Sequence, residues 1–279
     1  MKISTLEKTP LIDLVTVFNL SFSDYIVPVQ LTINQLEQKI KADRINLKFS
    51  VGAFLNDDLV GFILNGIEVI SNKKIAYNAG TGVIPSQRGK KISEKLYIYN
   101  LNVFGENSIK KIELEVITSN HFAINLYKKM GFIIEKTYNC YEGNVLKKET
   151  NSNCEIREIH LDQIVSNTSW IAYSPSWQNS IQAILAVKND LLFFGAFCEE
   201  ELNGFIVFNP ISKKTVLFGT KNNKNKVEHS LFYHINKLSN TPLLITNISD
   251  DSIRANQQLI SIGLQCTTKQ YKMELPLLN

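Results

Sequence analysis

The sequence predicts a duplicated α/β fold. Three observations predict it: a hairpin pattern that recurs at constant spacing, helices that end on glycine in both halves, and an element order with that hairpin at its centre. The stretch VGAFLNDDLVGFI from Val51 to Ile63 is echoed by FGAFCEEELNGFI from Phe194 to Ile206, and the offset is 143 at both Val51/Phe194 and Gly61/Gly204. Each copy reads as two apolar strands joined by a short acidic turn. The segment Asn120 to Phe132 is matched in order by Ser252 to Leu264, and both close on a glycine, Gly131 or Gly263, able to take the left-handed conformation past a helix end. Two matched segments in the same order argue for an internal repeat. The polar, aperiodic run Lys147 to Asn153 reads as a linker, which sets the expected domains at 1–149 and 150–279.

In the first copy, a strand at Lys2 to Leu6 precedes a helix in which Leu11, Leu14, Val15 and Phe18 share one face. A second helix starts at Thr32, whose hydroxyl and the Gln35 side chain can form a capping box, with Ile33, Leu36 and Ile40 inward. The hairpin follows. A strand from Ala76 to Ile84 then runs into a helix with Ile92, Leu96, Tyr99 and Val103 on one face. Strand Ile112 to Ile117, the helix from Asn120 to Met130, and closing strands at Phe132 to Ile134 and Tyr138 to Glu142 complete the copy. A hairpin in mid-order is not the alternation of a doubly wound parallel sheet.

Composition excludes several classes of function. With 279 residues, 44% of them hydrophobic, the chain can bury a sizeable core. Its apolar runs fall far short of the roughly 18 to 20 residues a membrane helix needs, and Met1 to Lys8 lacks the apolar core of a signal peptide. A cytoplasmic location and no membrane partner are expected. The net charge of +4 carries no aromatic-interleaved basic stripe, so no nucleic-acid partner is expected. Cys140, Cys154, Cys198 and Cys266 show no C-x-x-C spacing, so neither a disulfide framework nor a zinc site is expected and all four read as reduced thiols. His229 and His234 lie five apart, off the i, i+4 spacing of a helical ligand pair, and no metal is expected.

The chemistry concentrates between Gly82 and Phe132. Gly82-Val83-Ile84-Pro85-Ser86-Gln87-Arg88-Gly89-Lys90-Lys91-Ile92-Ser93 carries a strand into a helix through a basic, glycine-containing turn. Free amides at a helix start and the positive end of its dipole favour an anion, and Arg88, Lys90 and Lys91 add charge; the same residues also describe a solvated helix start. Further on, Leu114-Glu115-Val116 leads into Asn120-His121-Phe122-Ala123-Ile124-Asn125-Leu126-Tyr127 and Gly131-Phe132. Strand alternation puts Leu114 and Val116 on one face and Glu113 and Glu115 on the other, so both glutamates can look toward a cleft.

These two segments resemble the GNAT acetyltransferase superfamily, the second one especially those members that acetylate the N-terminal amine of a ribosomal protein. The resemblance implies tandem domains, each a mixed, mostly antiparallel central sheet flanked by helices, and an activity that moves an acetyl group from acetyl-coenzyme A to a primary amine. The first segment is similar to that family's pyrophosphate loop, with Val83, Ile84, Arg88, Gly89, Lys90, Lys91, Ile92 and Ser93 as cofactor-binding residues. It departs from the pattern at Lys91, which stands at the central glycine, and at Ser93, which stands at a small Gly or Ala. The second segment implies Glu115 as general base, directly or through water, Tyr127 as general acid toward the leaving thiolate, and Asn120 as a cofactor contact. The turn Ser21 to Pro28 is expected to border the acceptor, with Asp24 and Tyr25 as substrate-binding residues, although Phe22 and Tyr25 equally suit a closed core. The acceptor class is a small molecule, peptide or protein bearing an amine.

Carrying the glycine match upstream sets Asn247 opposite Glu115 and Leu259 opposite Tyr127, and neither can transfer a proton. The second copy is therefore expected to keep the fold and lose the chemistry. Trp177 in that copy suits an interface or its own core. The alternative reading of the whole chain is a non-catalytic acyl-coenzyme A sensor or scaffold.

Overall fold

Two-residue turns fix the register of both recurring hairpins. Asn56 and Asp57 have φ of 50° and 69°, and Glu199 and Glu200 have φ of 52° and 65°, the left-handed pair that matches strand twist in a tight hairpin. The turns join β2 (Val51–Leu55) to β3 (Asp58–Ile70), and β8 (Leu192–Cys198) to β9 (Glu201–Asn209). Both pairs are antiparallel and break register at equivalent points, between Ala53 and Phe54 and between Ala196 and Phe197. An irregularity reproduced at the same offset of 143 supports the duplication better than apolar pattern alone, since bulges are built features.

The computed structural model describes residues 1–25, 29–146, 154–221 and 227–277. The expected linker Lys147 to Asn153 and the Ile26 to Pro28 part of the acceptor turn lie outside the described residues. Two compact units form, Met1–Glu135 with Tyr271–Asn279, and Lys136–Gln270. They are cut differently from the single boundary expected near 150, because the last strand of each sequence half is divided between the two units.

The first unit is built from β1 (Lys2–Thr5), α1 (Leu11–Phe22), α2 (Ile33–Ala42), β2, β3, β4 (Lys73–Val83), α3 (Ile92–Glu106), β5 (Ile109–Ile117) and α4 (His121–Lys129). It also takes the start of β6 (Ile133–Gly143) and the end of a C-terminal strand running from Gln265 to Pro276. The sheet order is β1-β2-β3-β4-β5 with the C-terminal strand beside β5. The first four strands pair antiparallel and β4 pairs parallel with β5. On one face α1 and α2 cover Phe62 and Leu64; on the other, α3 and α4 cover Ile63, Ala76, Ile112, Leu114 and Val116.

The Thr32–Gln35 capping box forms as expected, but only Leu36 of the predicted inner face of α2 is fully buried, while Ile33 is exposed. In α3 the buried face is Ile92, Leu96, Tyr97, Asn100 and Phe104 rather than one through Tyr99 and Val103. Apolar spacing selects two neighbouring stripes on that helix, and packing against the sheet decides between them.

The second unit continues β6 and adds β7 (Cys154–Glu158), α5 (Leu161–Val165), α6 (Ile181–Ala186), β8, β9, β10 (Lys214–Thr220), α7 (Val227–Ser239), β11 (Leu243–Ser249) and α8 (Ile253–Ser261); the C-terminal strand is β12. Its order is β6-β11-β10-β9-β8-β7, antiparallel except for β10 with β11. Trp177 is buried inside this unit. The expectation of four reduced cysteines is corrected here. Cys154 and Cys198 are directly paired across β7 and β8 and form a disulfide with Cα atoms 4.2 Å apart. Strand register, absent from sequence spacing, brings them together.

Candidate active site

A bulge opens the first sheet. β3 pairs Leu64 with Gly80 and Asn65 with Asn78, leaving Ala79 without a partner. The extra residue bends β4, whose parallel pairing with β5 runs from Lys74/Ile109 only to Tyr77/Glu113. Beyond that point residues 78–83 and 114–117 diverge, and a gap lies between two strands of the sheet.

Glu115 stands beside this gap. The Tyr77 hydroxyl donates a hydrogen bond to its carboxylate. Burial pushes the carboxyl up to about 7, reinforced by Glu113 and Asp43 and opposed by the Tyr77 hydrogen bond and Lys272. Glu113, expected to share the cleft, is instead committed to ion pairs with Lys111 at 2.5 Å and Lys272 at 3.3 Å. Its side chain answers local charges, which sequence alternation does not reveal.

Tyr127 lies across the sheet from Glu115, among Leu114, Val116, Ile124 and the inner face of α3. Its hydroxyl is pushed up to about 12, first by burial and then by Tyr25, while hydrogen bonds with Thr81 and Tyr97 pull it down. Asn120 caps α4: its Oδ1 accepts from the Ala123 amide at 3.1 Å, and its Nδ2 donates to the Tyr25 hydroxyl at 3.1 Å. Tyr25 also packs edge-on against Phe22, with ring centroids 5.3 Å apart. The structure thus brings Tyr25, Asn120 and Tyr127 to one end of the gap.

The basic turn leads into α3 at that end. Gly89 has φ of 77° and Lys91, at the helix N-cap, has φ of 58°. That left-handed backbone is the physical reason a glycine suits position 91, since an L side chain there costs about 1–2 kcal/mol. No side chain caps the first turn of α3, so its leading amides are available to an anion. Lys90 donates to Gln87 at 2.7 Å and Lys91 is exposed. Val83 is buried, Ile84 and Ser93 are half-buried, and Ile92 packs into the core.

Arg88 is placed differently from a free phosphate ligand. Its guanidinium holds both Asp24 oxygens at 2.6 and 2.8 Å and donates to the Ser21 carbonyl at 2.9 Å, while Nε donates to the Val83 carbonyl at 3.1 Å. Asp24, expected to meet an acceptor ammonium, is held below the usual carboxylate range by this Arg88 contact.

Comparison with known proteins fits this geometry. Residues 14–132 match the Acetyltransferase (GNAT) family. Those residues, less than half of the chain, are similar to the GNAT acetyltransferase family. It is 32% identical over 110 residues to N-alpha-acetyltransferase 50 of Danio rerio, a match covering 37% of this chain and 66% of the relative, so just under two thirds of that protein is spanned. The GNAT fold extends over both units. A tandem GNAT protein from the clavulanic acid biosynthesis pathway superposes with a TM-score of 0.69 at 10% identity, covering 99% of this chain and 98% of its own. A putative acetyltransferase from Pyrococcus horikoshii gives 0.68 at 16% identity, covering 99% and 89%.

In the second GNAT-like unit the corresponding gap is filled. β10 and β11 pair only at Lys214/Leu244 and Thr215/Ile245. Tyr173 Oη accepts from the Phe218 amide at 3.3 Å, and Asn179 Nδ2 donates to the Thr246 carbonyl at 2.7 Å. Asn247, at the position matched to Glu115, donates to Ser176 and accepts from Gln270 at 3.1 Å. Leu259, matched to Tyr127, is fully buried.

Tyr77, Asn78, Thr81 and Tyr97 escape the sequence reading of the GNAT site. Only the parallel pairing puts Tyr77 next to Glu115, and only the bulge turns Asn78 toward α3. A tyrosine beside the regular Ile92/Leu96 stripe is the one signal for Tyr97.

Proposed function

We propose that the first unit transfers an acetyl group from acetyl-coenzyme A to a primary amine by direct transfer, and that the second unit holds no cofactor. The observation that carries this reading is the gap between β4 and β5, with a titratable carboxyl on one face, a protonated phenol on the other, and an uncapped helix start at its end. Val83 and Ile84 would line the pantetheine path along β4. The amides after Lys91, with Gly89, Lys90, Lys91, Ile92 and Ser93, would receive the pyrophosphate, and Asn120 would meet the pantetheine arm.

The residues divide the proton traffic. An amine must shed a proton to attack; Glu115, near half-ionised at neutral pH, accepts it directly or through water. The nitrogen attacks the thioester carbonyl, a C–N bond forms and the C–S bond breaks. The sulfur takes its proton from Tyr127, which burial keeps protonated at neutral pH. Such positioned acid and base groups contribute about 10² to 10⁴ in rate. Tyr25 would border the acceptor, while Asp24 acts through Arg88 as a loop anchor. Likeness to an N-alpha-acetyltransferase makes a polypeptide N-terminal amine the first acceptor class to test, with lysine side chains and small amines beside it.

The test is release of free thiol from acetyl-coenzyme A across such an amine panel, together with calorimetry. Turnover, binding of one coenzyme A per chain, and loss of turnover in Tyr127→Phe are expected; a Tyr127→Phe variant as active as the parent removes Tyr127 from the chemistry. A second reading, an acyl-coenzyme A sensor, is favoured by the commitment of Arg88 to Asp24, which leaves the loop with fewer free cations. Binding without turnover on every amine would select it.

A further inference from the structure

The bulge at Ala79 does more than open the sheet. It turns Asn78 toward α3, where the side-chain amide has one orientation. The Gly80 amide donates to Asn78 Oδ1 at 2.9 Å, so the NH₂ group faces the other way. That group donates to Thr81 Oγ1 at 2.9 Å and to the Tyr97 hydroxyl oxygen. Both hydroxyls have therefore accepted a hydrogen bond, and because they are also bonded to each other at 3.3 Å one of their two hydrogens lies between them. With Thr81 as the donor of that bond the Tyr97 hydrogen is left for Tyr127, whose phenol is pulled down by hydrogen bonds with Thr81 and Tyr97. Tyr97 is 1% exposed, and its ring meets that of Tyr127 edge-on at 5.9 Å, so the arrangement is locked by packing.

We infer that Tyr97, oriented by Asn78 and acting with Thr81, is a positioning residue for the proton donor: its O–H donates to Tyr127 and turns the Tyr127 hydrogen toward the gap between β4 and β5. The inference rests on the reading of Tyr127 as the acid of acetyl transfer. As the C–S bond breaks, the Tyr127 O–H bond breaks and an S–H bond forms. The phenolate left behind is met by the Tyr97 hydrogen, with Thr81 bonded behind it, and solvent water restores its proton after the thiol departs. A donor fixed in advance on a developing negative charge is worth up to about 1000-fold in rate, and here the charge develops on the enzyme's own acid. Asn78, Thr81 and Tyr97 touch neither reacting atom; they act through Tyr127.

Steady-state kinetics on the full chain tests this. Tyr97→Phe is expected to lower kcat about tenfold or more with the KM for acetyl-coenzyme A unchanged. Thr81→Val, which keeps the shape and loses the hydroxyl, is expected to lower kcat, whereas the smaller Thr81→Ser restores it. A packing role predicts the reverse order for Ser and Val. Should Tyr97→Phe fail to fold because the Asn78 NH₂ loses its acceptor, the Thr81 pair carries the test. Parental kcat in Tyr97→Phe and Thr81→Val, alongside an inactive Tyr127→Phe, overturns this inference and leaves the acid in place. Full activity in Tyr127→Phe overturns the acid and this inference with it.

Discussion

The guanidinium of Arg88 closes on the carboxylate of Asp24 through hydrogen bonds of 2.6 and 2.8 Å, tying the turn before α3 to the segment after α1, 64 residues away. Two groups that the sequence assigns to two different ligands thus meet each other. Both are substantially exposed, and pairs of that kind contribute little to stability. Asp24→Asn is therefore expected to leave Tm unchanged while the adjacent Tyr25 loses its anchor. In kinetics this should appear as a several-fold higher acceptor KM at unchanged kcat; an unchanged KM would show that the pair does not position Tyr25.

Glu115 sets an acid limb. A base must be ionised, so kcat/KM is expected to rise with pH through about 7, and Glu115→Gln should flatten that limb. The stability effect has the opposite sign. Because the folded state raises this carboxyl above its ordinary value of 4.5, the folded chain binds its proton more tightly. The contribution is complete below about 4.5 and is lost as pH rises to about 7. At pH 8, Glu115→Gln should be more stable than the parent by on the order of 3 kcal/mol, measured by denaturant unfolding; at pH 4 the two should coincide.

Lys91 combines a strained backbone with a useful charge. Lys91→Gly removes the left-handed penalty of about 1–2 kcal/mol and adds unfolded-state entropy worth about 0.5–1 kcal/mol. A net gain of about 0.5 kcal/mol in unfolding free energy is expected from these terms. Coenzyme A should bind more weakly, because an exposed ammonium beside the anion site is gone. Calorimetry that finds tighter binding in Lys91→Gly would mean that the side chain obstructs the loop rather than serving it.

The Cys154–Cys198 bond closes a loop of 44 residues. The Cys154→Ser/Cys198→Ser double variant is expected to lose about 2–4 kcal/mol of stability. Unfolded parent protein without reductant should show two reactive thiols, Cys140 and Cys266. Four would show the bond to be absent.

The sequence by itself determined the local and the periodic: the repeat at an offset of 143, the hairpins and the Thr32 capping box; it marked Glu115, Asn120 and Tyr127 only through a family resemblance. The repeat, the hairpins and the box depend on side-chain alternation, turn chemistry and spacing within one element, all of which neighbouring residues encode. Only the tertiary structure decided that Arg88 faces Asp24, that Cys154 meets Cys198, that Glu113 joins lysines rather than the cleft, and that Tyr97 and Asn78 stand behind Tyr127. Each of those involves a partner distant in the chain, as Lys272 is from Glu113. Such choices follow from strand register, from the bulge at Ala79 and from which stripe of α3 is buried, and no local pattern records them.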